Sequence, residues 1–276
     1  MEFRKVVGSR RSTRYYKPYQ PVEKSKIQAI LEAARLQSNH GNASDIRKAV
    51  VITKGETPDP IRNALIEALY NQPQAAQAPV MIVWCCDMSG WQMIKPRLME
   101  LIKVGALNSS YGWSEEFIDN VVMKTPDFNV CSYLLEEKAT GTGVSPDEVF
   151  AKWLSSFECG LAVGSALLAA VDEGLGTQLL TGNRDKIRET LGMPADVTPT
   201  QIQILGYPAE SADCGGQRPR PAYESLYYNG KWGEALKRDA KVTAELEATG
   251  LFQTPAPTPW RAQEVRALAA MFELPE

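Results

Sequence analysis

Residues 152–183 read KWLSSFECGLAVGSALLAAVDEGLGTQLLTGN. From Lys152 to Asp172 nearly every position is apolar or small, which predicts a helix buried on most of its sides. Gly160 and Gly164 stand one turn apart within it, where the missing side chains permit close approach of another helix. After the helix come Gly174-Leu175-Gly176-Thr177 and Thr181-Gly182-Asn183. Such a helix needs apolar strands to lie against, and the chain offers three buried runs: residues 49–53, 80–85 and 201–205. Helical spacing recurs at Ile27, Ile30, Leu31 and Ala34 within residues 21–37, and at Ile61, Leu65 and Leu69 within residues 60–70. Shorter helices are expected at residues 2–9 and at 184–192, the latter stopped by Gly192 and Pro194. Towards the end lie a charged helix near 233–248, a proline-rich break at 255–259 and an amphipathic segment over 260–274. Few strands and many helices predict an α+β domain, a sheet wrapped in helices. The whole chain, residues 1–276, is expected to form one domain.

Composition narrows the chemistry. The chain has 276 residues, 44% hydrophobic and 23% charged, with a formal net charge of −3. That acidic balance argues against a nucleic-acid partner. The densest apolar run, residues 159–171, falls short of the ~20 residues that span a bilayer, so no membrane partner is expected. Met-Glu-Phe-Arg-Lys at the start lacks the apolar core of a signal peptide, which predicts a cytoplasmic location. The cysteines at 85, 86, 131, 159 and 214 then read as reduced thiols. With a single histidine, His40, and no Cys-x-x-Cys pair, no metal site is expected. Neither a Gly-x-Ser-x-Gly elbow nor a P-loop is present, and Gly174 and Gly176 lack the third glycine of a dinucleotide fingerprint. Any enzymatic chemistry therefore calls for a bound organic cofactor.

Four separated segments carry a resemblance. The first is Arg10-Arg11-Ser12-Thr13-Arg14 with Tyr16 and Pro21-Val22; the second is Glu32-Ala33-Ala34-Arg35 running into Ser38-Asn39-His40-Gly41-Asn42. The third joins Gly174-Leu175-Gly176-Thr177 to Thr181-Gly182-Asn183, Ile187-Arg188 and Leu191-Gly192-Met193-Pro194. The fourth is Ile204-Leu205-Gly206-Tyr207-Pro208-Ala209-Glu210 with Arg218-Pro219-Arg220-Pro221. In this order and at these separations they resemble the FMN-dependent nitroreductase family over roughly residues 3–85 and 153–228. The resemblance implies a nitroreductase-like fold with a mostly antiparallel central sheet, and an intertwined homodimer holding flavin at its interface. It further implies an oxidoreductase that uses NADH or NADPH to reduce nitroaromatic or quinone-like acceptors through flavin N5, in two alternating half-reactions.

Individual roles follow from it. Arg10, Arg218 and Arg220 match the arginines that hold the FMN phosphate, a task suited to a planar fork of donors. Arg11 extends the same basic run, and Ser12 adds a hydroxyl donor. Arg14 falls where the family places a cation near the flavin pyrimidine edge. Asn42 matches a flavin-contacting asparagine, Asn39 lies in the same loop, and Asn71 matches another. Gly182, preceded by Thr181, falls where a backbone N–H is aimed at N5, and His40 is a candidate proton donor. The chain departs from the family at Gln37-Ser38, at Ser44-Asp45-Ile46 and at Thr181, where a Pro-Ser, a Gln-Pro-Trp and a glutamate are usual. The unusual Asn39-His40 loop and the long 87–150 region keep open a reductive dehalogenase or an oxidase of the same fold, and a non-catalytic flavin-binding protein is the alternative of another class. Residues 87–150 carry Trp91, Tyr111, Trp113, Phe117, Phe128 and Tyr133 in a connection far longer than the usual ~4–6 residues. They read as a cap over a flat aromatic acceptor.

Overall fold

The computed structural model describes residues 2–40, 43–124, 146–211, 216–253 and 258–273. Four strands form one sheet in the order β1-β2-β4-β3, every neighbouring pair antiparallel. They are β1 (Arg47–Thr53), β2 (Val80–Asp87), β3 (Gly176–Leu180) and β4 (Val197–Gly206). Strand β2 lies inside the sheet and is buried from Val80 to Cys86, which explains its unbroken apolar run. Its alternate residues divide between two cores. Met81, Val83 and Cys85 pack with Leu65, Ala68 and Leu69 of α3 (Asp59–Ala68 and the turn after it) and with Ile187 of a later short helix. Val80, Ile82 and Trp84 pack with Ile27, Ile30 and Ala34 of α2 (Lys24–Arg35) and with the long helix described below. The strands expected at 49–53, 80–85 and 201–205 are all present. β3 was not expected: Gly176, Thr177 and Gln178 break its apolar pattern, and pairing with β4 defines it.

The remaining helices, in chain order, are α1 (Phe3–Ser9), α4 (Pro73–Gln77), α5 (Ile94–Lys103), α6 (Glu115–Asn120), α7 (Pro146–Asp172), α8 (Arg184–Thr190), α9 (Tyr223–Leu226), α10 (Ala240–Ala248) and α11 (Thr258–Met271). α7 is the long apolar helix, and one expectation about it is corrected. Within a single chain it is buried along one side only, through Ala162, Val163, Ala166 and Ala170. The opposite side carries Phe157, 55% exposed, with exposed Ser156, Gly160 and Gly164. Among the described residues, and apart from the helix's own nearby backbone, nothing comes within 4 Å of where a Cβ would stand at either glycine. Leu154–Asp172 is long and apolar enough to cross a bilayer, more than the shorter run within it suggested. Here its buried side is part of the protein core. The helix expected near 233–248 begins only at Ala240, because Gly230 and Gly233 adopt left-handed backbone angles and a bridge joins Tyr228 to Ala235.

The long excursion after β2 has a core of its own. Trp91, Ile94, Leu98, Ile118 and Val122 pack with Ala43, Ile46 and Leu154. Trp91 is fully buried, and Tyr111 is 85% exposed. Phe128 and Tyr133 lie outside the described residues.

Candidate functional site

The Arg10–Arg14 segment is fixed by the exposed edge of the sheet. Ser12 bridges Thr177 of β3, and the Thr13 N–H donates to the Thr177 carbonyl at 3.1 Å. A Cβ on Gly176 would stand 2.7 Å from the Thr13 side chain, so glycine is what lets the segment lie on the strand. Tyr16 is fully buried, its hydroxyl donating to the Thr13 carbonyl at 2.9 Å. Burial, and then the neighbouring Glu210, raise its pKa well above the ordinary tyrosine value. Glu210 is buried too, accepting from the Arg14 backbone N–H at 3.1 Å and lying 3.9 Å from the Arg11 guanidinium.

On this base six predicted residues come together. Arg10, Arg11, Ser12, Arg14, Arg218 and Arg220 line one cavity of about 830 Å³. Its far wall is built by Gln217, Arg238, Leu251 and Phe252. The Gln217 side chain donates to the Leu251 carbonyl at 3.0 Å, and α1 packs so closely there that a Cβ on Gly8 would meet the Gly250 carbonyl at 2.0 Å. Arg238 lies over the rings of Tyr223, at 5.2 Å, and Phe252, at 5.9 Å. Among the described residues Arg10, Arg218 and Arg220 have no ion-pair partner. Burial, and then the like charge of Arg220, hold the Arg10 pKa below the usual arginine value. Glu210 and Arg238 carry no local sequence signal for this cavity; the fourth segment contained Glu210 without assigning it a role.

A second group lies at the other end of β3. From Thr177 to Gly182 an extended chain advances ~17 Å, which separates this group from Ser12. Asn71 is exposed and left-handed, with φ 51°, just past α3. Thr181 is exposed, and a Cβ on Gly182 would stand 2.5 Å from the Ala68 carbonyl and 3.0 Å from the Leu69 side chain. The glycine is therefore already required by packing within the chain. Gly182→Ala is expected to cost about 1–3 kcal/mol and to displace the 181–183 backbone; a thermal melt of the variant without added flavin checks it.

The third group faces elsewhere. The Asn39 side chain donates to the Ser44 carbonyl at 2.8 Å and lines a separate cavity of about 450 Å³ with Arg35, Arg47, Trp84 and Arg97. The His40 backbone N–H donates to the Glu158 carboxylate at 2.6 Å, and the Ser44 hydroxyl donates to its other oxygen. The His40 ring stands edge-on to Trp91, centroids 5.8 Å apart. Neither Asn39 nor His40 borders the arginine cavity of its own chain. Asn42 lies outside the described residues. Among the described residues no group of three or more His, Cys, Asp or Glu side chains is placed to hold a metal.

An antiparallel sheet wrapped by helices, with an arginine cavity at its β3 edge, defines an α+β class of protein. Residues 7–207 match the model of the nitroreductase family, and the chain belongs to that family. No curated protein matches it. Among solved structures it is similar to a Staphylococcus epidermidis protein described as an NAD(P)H:FMN oxidoreductase (14% identity, 83% of this chain and 95% of that one, TM-score 0.65). An Exiguobacterium sibiricum nitroreductase solved with FMN aligns at 21% identity over 82% and 96% of the two chains, TM-score 0.63. An enone reductase of gut-bacterial fatty-acid saturation aligns at 17% identity over 83% and 98%, TM-score 0.61. At these identities the likeness shows the fold.

Proposed function

We propose that the chain is an FMN-dependent oxidoreductase that accepts hydride from NADH or NADPH and passes electrons to flat aromatic acceptors such as nitroaromatics or quinones. The observation that carries this reading is the convergence of Arg10, Arg218 and Arg220 on one cavity, with no ion-pair partner for any of them among the described residues. Like charges gathered at a half-buried site favour an anion between them, and a phosphate dianion suits the guanidinium fork. Bound FMN supplies N5 as a reversible hydride acceptor. The residues of the chain bind and orient it. Arg10, Arg218 and Arg220 hold the phosphate, with Arg11 and Ser12 beside them. Arg14 offers a cation to the pyrimidine edge, which favours the reduced anion. Thr181, Gly182 and Asn71, one strand-length away along β3, fit the reacting end.

The separation of Asn39 and His40 from this cavity fits a dimer in which the 38–44 loop of one copy completes the flavin site of the other. The exposed side of α7, with Phe157, Gly160 and Gly164, suits the contact. Gly160→Leu is expected to weaken dimer and flavin occupancy together. Sedimentation of the unaltered protein as a monomer that keeps both flavin and activity would refute the arrangement.

The test of function is direct. Acid-released chromophore is expected to be FMN by mass, and NADH or NADPH is expected to bleach the yellow holoenzyme under anaerobic conditions. FAD as the main species sinks the cofactor assignment. Colour without bleaching favours the second reading, a dehalogenase, an oxidase or a non-catalytic flavin protein, which the departures at Ser44-Asp45-Ile46 and Thr181 support.

A further inference from the structure

Cys86 and Cys159 meet where β2 touches α7, and neither lines the arginine cavity. Their sulfurs are 3.0 Å apart, and each residue is 4% exposed. Two carbonyls frame the pair: the Ser155 carbonyl lies 3.4 Å from the Cys86 sulfur, and the Cys85 carbonyl 3.4 Å from the Cys159 sulfur. Cys85, one residue away, belongs to the opposite core, where its sulfur lies 4.0 Å from that of Met193. Alternation along β2 thus selects one cysteine of the two for α7. A disulfide bond is about 2.05 Å long, so the pair needs an approach of only ~1 Å to close.

We propose that Cys86 and Cys159 are an oxidisable thiol pair that hydrogen peroxide converts to a disulfide tying β2 to α7. The two thiols are not equivalent. The sulfur–sulfur contact with Cys159 lowers the Cys86 pKa, while the same contact and burial raise that of Cys159. Cys86 is therefore the attacking sulfur. Its thiolate takes one peroxide oxygen and the displaced hydroxide leaves as water, giving a sulfenic acid. The Cys159 sulfur then attacks the Cys86 sulfur, the S–O bond breaks, and the oxygen leaves as a second water. Two thiols lose two electrons and two protons, and one peroxide becomes two waters. Burial restricts the oxidant to a molecule of this size and excludes a bulky disulfide such as oxidised glutathione.

The bond has a route to the neighbouring loop. Cys159 follows Glu158, whose carboxylate accepts from the His40 N–H and the Ser44 hydroxyl. Drawing Cys159 towards β2 displaces the anchor of the 38–44 loop.

The test uses the full-length protein, exposed to hydrogen peroxide or to oxidised glutathione, then denatured and alkylated. Of the five cysteines, two are expected to be lost to peroxide and regained with dithiothreitol. Digestion is expected to yield one linked peptide pair holding Cys86 and Cys159, about 2 Da lighter than the reduced pair. Oxidised glutathione is expected to leave both thiols free. Cys159→Ser is expected to abolish the linked pair, and because the unaltered protein yields the peptide map, the result does not depend on that variant folding. Retention of all five thiols under peroxide, a link through any other cysteine, or glutathione attached to Cys86 overturns the proposal.

Discussion

Replacing Arg218 and Arg220 together by alanine is expected to strip flavin from a protein that otherwise keeps its fold. Both side chains are exposed in the chain alone, and among the described residues neither has an ion-pair partner, so folding does not depend on them. A hydrogen bond to a charged group contributes about 1.5–3 kcal/mol. Losing two arginines from a phosphate site then weakens flavin by about 10²–10⁴-fold, at tenfold per 1.4 kcal/mol. The sign for the flavin-free protein is opposite. Burial and the charge of Arg220 both lower the Arg10 pKa, so charged Arg10 opposes folding, and removing Arg220 relieves part of that cost. The flavin-free double variant is expected to melt no lower than its parent, while the rise in melting temperature on adding FMN disappears. Absorbance of the purified protein and two melts decide it. Unchanged flavin occupancy moves the phosphate site elsewhere.

The second large effect is on stability. Trp91→Ala is expected to cost about 3–5 kcal/mol, the range for truncating a buried aromatic. Trp91 is fully enclosed, its indole N–H donates to the Ser155 hydroxyl at 2.9 Å, and its ring meets His40. The turn that carries it cannot retreat, because a Cβ on Gly90 would stand 2.3 Å from the Asp45 carbonyl. At about 2–4 °C per kcal/mol for a domain of this size, the melting temperature falls by roughly 6–20 °C. A variant that melts like its parent removes Trp91 from the core. Trp113 and Phe117 differ: they stack edge to face with centroids 5.4 Å apart, and Phe117 is 36% exposed. Truncating either is expected to change reoxidation rates unequally among acceptors. Equal slowing with all acceptors makes the outer pair structural as well.

The cap reading thus divides by depth, which the sequence could not disclose. Aromatic residues in an irregular stretch look alike whether they fill a core or face solvent, and only the packing against Ile46 and Leu154 distinguishes Trp91. The three apolar strands were legible because burial on both sides demands continuous apolar runs. β3 was not, since Thr177 spends its side chain on a buried hydrogen bond from Gln203 rather than on apolar packing. At the site, the meeting of Arg10 to Arg14 with Arg218 and Arg220 was legible through the family resemblance. Arg238 and Phe252 were not, because they stand beyond residue 228, where the resembling segments end, and reach the cavity by tertiary contact alone. Asn39 was assigned to the same cofactor as Arg10, yet lies in a different cavity of its chain.

The seam between the two ends of the chain also sets a timetable. The Arg11 guanidinium donates to the Ser211 carbonyl, the Arg14 N–H to Glu210, and the Ala209 N–H to the Tyr15 carbonyl, partners close to two hundred residues apart. At about 5–20 residues per second on the ribosome, the first arginines wait roughly 10–40 s for the segment that completes their cavity. A nascent chain halted just before residue 218 has the whole sheet sequence and an incomplete arginine cavity. If the cavity holds the proposed cofactor, loading is expected late in biogenesis, on finished rather than growing chains.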